Sequence, residues 1–306
     1  MELRFSGATD TGRVRSENQD AIFVPPRPAP RGRPTFFILA DGMGGASGGA
    51  VASRTAVEVV RRELERTSAR PPWDRALAAA ARRAAQAIAD KASRDPALRG
   101  MGTTLVVLAL EDAMALVASL GDSRCYLLRA GRLHQITADH SLVAEQVRDG
   151  SLTPDQARGH QLRNVLTKAL GAIPDAAPDV FSIRVRGGDR FLLCSDGLHG
   201  VVGERDIAQA LAAPQPEARQ VAALVELAKR AGGPDNISAI VVRVADAAGE
   251  AGADGPDTPV GAAVTITKLP PPAAAPPRAR WLWAAAGLAA ALILAAAGYF
   301  LADGGP

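Results

Sequence analysis

Short apolar runs predict β-strands along much of the chain, and longer stretches with an apolar residue at every third or fourth position predict helices between them. The predicted strands are Ala21–Val24, Thr35–Ala40, Thr103–Leu110, Ala113–Leu120, Cys125–Arg129, Val180–Val185, Arg190–Cys194 and Ile237–Val244. The predicted helices are Gly48–Thr67, Asp74–Ala92, Glu204–Ala212 and Glu217–Ala231.

The order of these elements indicates an α+β fold. Between Thr103 and Thr137 the predicted strands follow one another without crossover helices, which is typical of antiparallel hairpins. The helices occur in pairs, and we therefore expect helical layers that cover the sheets. Residues 1–245 are predicted to form one folded domain.

Beyond Val244 the pattern changes twice. Residues 246–280 are rich in Ala, Gly, Pro and Asp, which predicts a disordered linker. Residues 281–301 carry no charge, and a helix of this length spans about 30 Å, the thickness of the hydrocarbon core of a bilayer. We predict a transmembrane helix here, followed by a short extracytoplasmic tail at 302–306.

The flanks of this stretch predict its orientation. Arg278 and Arg280 precede it, and positive flanking residues favour the cytoplasmic side. Trp281 and Tyr299 lie where interfacial aromatic residues belong. The alternative is a buried core helix, because the many alanines contribute little to insertion. We expect a single-pass protein in contact with the bilayer through 281–301, with the domain of residues 1–245 in the cytoplasm.

Composition restricts the possible functions. The chain is 47% hydrophobic and 22% charged, as in globular proteins. The net charge of +3 rests on scattered residues, and aromatic residues make up only 4%, so we predict no nucleic-acid partner. Cys125 and Cys194 lie inside apolar runs, which indicates buried reduced thiols rather than a disulfide or a zinc site.

Candidate chemistry lies in aspartates at the ends of apolar runs or in tight turns: Asp20, Asp41, Asp122, Asp196 and Asp235. An Asp-Gly pair after a strand usually forms a hairpin turn. That interpretation suits Asp41 and Asp196 poorly, because glycine-rich or helical sequence follows them. Carboxylates gathered at strand ends repel one another unless a cation neutralises them, and ligation by oxygen alone favours Mg²⁺ or Mn²⁺.

The glycine-rich segment 42–49 has two other interpretations. It lacks the Lys-Ser/Thr pair of a P-loop. Residues 45–49 match the Gly-x-Ser-x-Gly pattern of serine hydrolases, with Ser47 as the candidate nucleophile. Ser47 is too far beyond the predicted strand end at Ala40 for the strained turn that this pattern requires.

A series of short motifs runs in order through residues 5–245: Gly12-x-x-Arg15-x-x-Asn18-Gln19-Asp20, Asp41-Gly42-Met43-Gly44-Gly45, Met101-Gly102-Thr103-Thr104, Gly121-Asp122-Ser123-Arg124, Thr137-x-Asp139-His140-Ser141, Leu166-Thr167-x-Ala169-Leu170-Gly171, Ser195-Asp196-Gly197-Leu198 and Gly233-Pro234-Asp235-Asn236. In this order they resemble the metal-dependent serine/threonine protein phosphatases, the type 2C family, and in particular its bacterial members.

The resemblance implies a four-layer αββα sandwich, in which helix pairs flank two antiparallel sheets and metals lie in a cleft at one edge of the sheets. It implies two Mn²⁺ or Mg²⁺ ions and a place for a third, which Asp122 and Asp196 would hold. The implied metal ligands are Asp20, Asp41, Gly42, Asp122, Asp196 and Asp235, with Gln19 in a water-mediated shell.

The resemblance also implies hydrolysis of phosphoserine and phosphothreonine in proteins, by a hydroxide that bridges the metals, with Arg15 binding the phosphate. Animal members carry His after the Asp-Gly pair, where this chain has Met43. The general acid is therefore unassigned. A metal-bound water is our hypothesis, and His140 and His199 are further candidates, although each is more often structural. The variable segment 145–163 is where we expect substrate selection.

The partners implied are phosphorylated proteins and a bacterial Ser/Thr kinase at the same cytoplasmic membrane, which the phosphatase would oppose in signalling. A phosphoprotein-binding module derived from the phosphatase fold is the alternative without catalysis. Asp41, Asp196 and Asp235 argue against that alternative, because clustered carboxylates repel one another without a metal.

Overall fold

The structure is a computed structural model that describes residues 1–30, 32–67, 71–173, 176–246 and 264–270. Its strands are β1 (Glu2–Asp10), β2 (Asp20–Phe23), β3 (Thr35–Met43), β4 (Gly102–Thr103), β5 (Leu105–Glu111), β6 (Met114–Leu120), β7 (Arg124–Arg129), β8 (Arg132–Gln135), β9 (Asp179–Arg184), β10 (Arg190–Cys194), β11 (Ile237–Asp246) and β12 (Thr267–Leu269). Its α-helices are α1 (Gly45–Arg66), α2 (Trp73–Arg94), α3 (Leu142–Arg148), α4 (Pro154–Arg158), α5 (Asp196–His199), α6 (Glu204–Ala212) and α7 (Glu217–Arg230).

The described strands form two antiparallel sheets. One sheet has the strand order β1-β11-β10-β7-β8, and the other has the order β12-β9-β6-β5-β3-β2, with β4 paired to β3. The neighbours β5 and β6 form a hairpin, as do β7 and β8, which confirms the antiparallel connections predicted for this part of the chain.

The two sheets pack face to face around the main core. Phe37 and Leu39 of β3 lie in this core with Phe191 and Leu193 of β10, and all four are fully buried. Successive side chains of a strand point to opposite faces, so that the intervening Ile38 faces a helical layer instead.

Helices cover the outer face of each sheet. α1 and α2 pack on the larger sheet, where small side chains such as Ala56 and Ala84 are fully buried. α6 and α7 pack on the smaller sheet through Ile207 and Leu224. The result is the four-layer αββα sandwich that the resemblance implied, in which helices bury the apolar outer face of each sheet.

Several elements differ from the sequence predictions. β1 was not predicted, because its apolar pattern is weak. Only Leu3 among its nine residues is buried. β3 continues beyond the predicted end at Ala40 to Met43, since Gly42 and Met43 pair with β4. The predicted strand Thr103–Leu110 is broken at Thr104, whose backbone N–H donates to the Asp41 carbonyl.

The predicted boundary at residue 245 and the predicted disordered linker 246–280 need a correction. Within that range β12 pairs with β9, and Val264 and Ile266 pack on the core between the sheets. Leu269 packs on the core below α1 and α2. Apolar and polar residues alternate only over 264–267, next to a Pro-rich stretch, which is too short a pattern to predict a strand.

No helix in the described ranges is long and apolar enough to cross a membrane. The predicted transmembrane helix 281–301 and the predicted tail 302–306 lie outside the described residues. Both stay predictions from the sequence.

Candidate active site

A cavity of about 400 Å³ collects most of the predicted site residues. It is lined by Arg15, Gln19, Asp41, Gly42, Met43, Asp122, Asp196 and Asp235, together with Ser16, Glu17, Gly44, Gly45, Thr104, Asn164, Leu166 and Asn236. These residues come from distant parts of the chain. The fold therefore brings together the aspartates that the sequence leaves scattered.

Each functional side chain sits where a strand ends or a loop begins. Asp41 and Gly42 lie near the end of β3, and Asp196 is the first residue of α5, separated from the end of β10 by one residue. Asp122 occupies the turn between β6 and β7, and Asp235 the loop before β11. The loop between β1 and β2 supplies Arg15.

Gly42 lets three backbone segments meet beside the cavity. A Cβ atom at this position would lie 2.0 Å from the Gly49 carbonyl oxygen and 2.6 Å from that of Gln19. The Gly42 N–H also donates to the Gln19 carbonyl at 3.1 Å. The glycine of this Asp-Gly pair thus serves close backbone packing rather than a hairpin turn.

Asp41 is anchored by two threonines, Thr103 of β4 and Thr104 between β4 and β5. The Asp41 N–H donates to Thr104 Oγ1 at 2.9 Å, and Thr103 Oγ1 donates to the Asp41 carbonyl at 2.8 Å. Thr104 Oγ1 lies 2.8 Å from Ser123 Oγ, in the turn that carries Asp122. These hydroxyls fix the backbone at Asp41 and leave its carboxylate for the cavity.

Asp20 is paired with Asp41 across β2 and β3 and is buried next to the cavity. Its Oδ2 accepts hydrogen bonds from Ser195 Oγ at 2.8 Å and Ser238 Oγ at 2.6 Å. Its Oδ1 is buried and accepts none from the described residues. Burial raises the pKa of Asp20 to about 6, although the two serine hydroxyls oppose this shift.

The remaining carboxylates repel one another. Removal from water raises the pKa of Asp41 well above its usual value, and the charges of Asp20 and Asp196 raise it further. Removal from water and then the charge of Asp196 raise the pKa of Asp122 to about 8. Removal from water and the charge of Asp235 raise the pKa of Asp196. At neutral pH such a group needs protons or cations to persist.

Arg15 is the guanidinium that borders these carboxylates. Its Nη2 donates to Asp235 Oδ2 at 2.8 Å, and its side chain is 55% exposed. The hydrogen bond and the charge of Asp235 raise the pKa of Arg15. An exposed, permanently charged fork at the rim of a cavity is suited to bind an incoming phosphate.

The donor set fits divalent cations that keep part of their water shell. In the part of the chain that the structure describes, no three His, Cys, Asp or Glu side chains form a ready-made site for one ion. The carboxylates instead surround the cavity, and Mg²⁺-like ions take only one or two carboxylates each and retain several waters. The buried Asp20 Oδ1 without a hydrogen bond is a further acceptor for such water.

The two candidate histidines have structural roles. His140 is buried, and its Nδ1 accepts from the Gly121 N–H at 3.2 Å. His199 Nε2 lies 3.0 Å from the Asp122 carbonyl, and burial lowers the pKa of His199 to about 4. Neither lines the cavity, whereas Met43 does. The proton donor stays unassigned among the described side chains.

The serine hydrolase interpretation has no support in the geometry. Ser47 lies in the first turn of α1, and no histidine is among the residues that line the cavity. A nucleophilic serine would need such a base within hydrogen-bond reach.

Sequence reasoning missed the residues that hold the site together. Asn236 accepts from the Gln19 N–H at 2.8 Å and donates to the carbonyls of Thr11 at 3.0 Å and Glu17 at 2.9 Å. These hydrogen bonds hold both ends of the loop that carries Arg15. The position of Asn236 directly after Asp235 could have indicated a role in the site. Its hydrogen-bond partners, however, lie more than two hundred residues away along the chain.

A sequence model described as "Protein phosphatase 2C" matches residues 12–240. The chain belongs to this family. The serine/threonine protein phosphatase PstP of Mycobacterium tuberculosis is 37% identical over 246 residues, which is 80% of this chain and 46% of PstP. The protein phosphatase PhpP of Streptococcus pneumoniae is 37% identical over 245 residues, which is 78% of this chain and 97% of PhpP. The chain therefore spans less than half of PstP but nearly all of PhpP.

Solved structures of family members match the fold. The crystal structure of M. tuberculosis PstP/Ppp has a TM-score of 0.72 at 36% identity and covers 79% of this chain and 98% of its own. The PstP catalytic domain in complex with two manganese ions has a TM-score of 0.71 at 36% identity, with 80% and 99% coverage. The Staphylococcus aureus phosphatase Stp1 has a TM-score of 0.73 at 30% identity, with 80% and 96% coverage.

Proposed function

We propose that this chain is a protein serine/threonine phosphatase that uses two Mn²⁺ or Mg²⁺ ions, with a place for a third. The observation that carries the proposal is the cavity around Asp41, in which mutually repelling carboxylates face a single guanidinium. Membership of the protein phosphatase 2C family and the two manganese ions in the PstP complex support it.

The ions would supply charge neutralisation at the phosphoryl group and activation of water at neutral pH. The groups of this chain that would hold them are Asp41, the Gly42 carbonyl, Asp196 and Asp235, with Asp20 and Gln19 acting through water and Asp122 serving the third ion. We propose each of these metal-binding roles from the position of the residue in the family motifs.

Arg15 would bind and orient the substrate phosphate. In the structure its guanidinium is occupied by Asp235, so substrate binding would exchange a carboxylate for a phosphate of higher charge. A cation on Asp235 would favour that exchange, because it competes with Arg15 for the same oxygens.

The substrate would reach the cavity beside the segment 145–163. Asn164 and Leu166 directly follow this segment and line the cavity. This placement supports the proposal that the segment selects among phosphoproteins.

Turnover of a phosphothreonine peptide tests the central proposal. We expect the full chain to hydrolyse it with Mn²⁺ and not with EDTA, and Asp41→Asn to lower kcat by about 100-fold or more. Asp112→Asn is the matched control, because Asp112 is an exposed aspartate between β5 and β6, outside the cavity. An active Asp41→Asn variant, or turnover in EDTA, would contradict the assignment.

We also propose that residues 281–301 anchor the phosphatase to a bacterial cytoplasmic membrane, where it would oppose a Ser/Thr kinase. The uncharged run and the preceding Arg278 and Arg280 support this proposal. A periplasm-dependent reporter fused after Pro306 should be active, and one that requires the cytoplasm should be silent. The reverse pattern would refute the orientation.

A further inference from the structure

β12 lies at the sheet edge, beyond the predicted domain boundary, and its exposed Lys268 forms an ion pair with Asp179. Lys268 lies opposite Phe181 of β9, which places it diagonal to Asp179 on the same face of the sheet. Its Nζ donates to Asp179 Oδ2. The ammonium group thus meets a side chain that is only 12% exposed.

The Asp179 carboxylate has three hydrogen-bond partners, and Lys268 is one of them. Oδ2 also lies 3.2 Å from His140 Nε2, and Oδ1 accepts from Lys168 Nζ at 3.2 Å. Burial alone would raise the pKa of Asp179, but the hydrogen bonds from His140, Lys268 and Lys168 bring it below the usual value. These three contacts hold the Asp179 carboxylate in place.

His140 transmits this position to the turn that carries Asp122. Its Nδ1 accepts from the Gly121 N–H at 3.2 Å, and a backbone N–H can only donate. Nδ1 is thus unprotonated, and Nε2 carries the proton that it donates to Asp179. The His140 N–H in turn donates to the Gly121 carbonyl at 3.0 Å, so that both polar groups of Gly121 are bound by one residue.

Gly121 leaves the turn little freedom. It has a φ of +94°, and a Cβ atom there would lie 2.6 Å from Thr104 Cγ2. Thr104 is the residue that anchors the Asp41 backbone. A shift of Gly121 would therefore move Asp122 relative to Asp41, across the cavity that both line.

We propose that Lys268 on β12 is a positioning residue of the active site, which acts through Asp179, His140 and Gly121 to hold Asp122 toward the cavity. The inference rests on the proposed function for what Asp122 binds. It assigns a catalytic consequence to a segment outside residues 12–240, the part that the family model matches.

The main test uses Mn²⁺ alone, titrated calorimetrically into the full chain. Lys268→Met keeps the stem and removes the charge. We expect it to weaken the weakest Mn²⁺-binding step about threefold and to leave the tighter steps unchanged. Lys268→Arg should restore binding, since it keeps a donor. Thr267→Val is the control, because Thr267 is exposed on the same strand.

A second measurement is independent of metal. Without Mn²⁺, Lys268→Met should speed amide hydrogen exchange in residues 119–123, where the Gly121 N–H is bound by His140, and Thr267→Val should not. In an Asp122→Asn background, Lys268→Met should cause no further loss of Mn²⁺ affinity.

Two results would overturn the inference. One is that Lys268→Met changes neither the amide exchange of residues 119–123 nor the Mn²⁺ affinity. The other is that Lys268→Met lowers the Mn²⁺ affinity equally in the wild-type and Asp122→Asn backgrounds. Neither readout requires turnover. A chain that shows the expected exchange and binding changes but hydrolyses no phosphopeptide would refute the phosphatase proposal and leave the positioning role of Lys268 intact.

Discussion

At the scale of single residues, Arg15 is the group with two competing partners. It lies at the rim of the cavity with more than half of its side chain exposed, and it donates to Asp235. The same fork is the group best suited to hold a phosphate. A single side chain would therefore link the occupancy of the carboxylates to the affinity for substrate.

We expect Arg15→Ala to lower kcat/KM for a phosphopeptide by about 10- to 100-fold, since a charge-assisted pair to the phosphate is lost. The Mn²⁺ concentration for half-maximal activity should fall or stay constant, because Asp235 is released from its guanidinium. Steady-state kinetics over a range of Mn²⁺ concentrations measure both quantities. Arg13→Ala, an exposed arginine outside the cavity, should change neither.

Single residues also show what sequence could and could not predict about the site. Asp41 and Asp196 were predicted because their surroundings failed the hairpin-turn explanation. The roles of Ser195 and Ser238, whose hydroxyls donate to Asp20, were not predicted. Ser238 and Asp20 lie 218 positions apart in the sequence, and a serine hydroxyl has no pattern that reveals so distant a partner.

At the scale of elements, the junction between β3 and α1 determines the site. β3 carries Asp41 into the cavity, and the chain then turns directly into α1 at Gly45. This arrangement is possible because Gly42 has no side chain. The backbones of Gln19 and Gly49 occupy the space that a Cβ atom would need. The glycine-rich segment 42–49 thus permits close backbone packing at Gly42, and three of its glycines line the cavity.

Gly42→Ala should therefore destabilise the fold by at least about 2 kcal/mol, since the added methyl group would meet backbone atoms that cannot rotate away. Thermal or urea unfolding of the variant measures the effect. Gly159→Ala serves as the comparison, because a Cβ atom there would meet nothing within 4 Å. Equal stability of the two variants would contradict the role given to Gly42.

Elements were predictable where burial was complete. β5 and β10 are apolar except for Glu111 and Arg190 at their ends, and most of β11 is apolar. Their predicted ranges agree with the structure to within a few residues. β1 and β12 were missed, because they lie at sheet edges, where only Leu3 of β1 and no residue of β12 is buried. Their pairing is decided by the partner strand rather than by their own sequence.

At the scale of the whole molecule, the partly buried Asp179 connects the sheet edge, the loop at His140 and the late segment that holds Lys268. Its pKa is lowered in the folded state, and the unfolded value is about 3.9. A depressed folded-state pKa contributes stability that is fully present above the unfolded value and is lost as pH falls through the folded one.

The free energy of unfolding should therefore show a contribution from Asp179 at pH 7 that decreases below about pH 4. Asp179→Asn should be less stable than the wild-type chain at pH 7, and the difference should narrow as the pH falls. Urea unfolding at several pH values measures this difference. Asp112→Asn, at an exposed turn, should show no such narrowing, and a constant gap for Asp179→Asn would refute the assignment.

The short strand β12 has a second consequence, for association between molecules. It covers the edge of β9, in which Val180, Phe181 and Ile183 are buried in the core. A chain cut after Asp246 would expose the N–H and C=O groups along that edge, and an open apolar edge readily accepts a strand from another copy. We therefore expect these three residues from beyond the predicted domain boundary to protect the chain from edge-to-edge association.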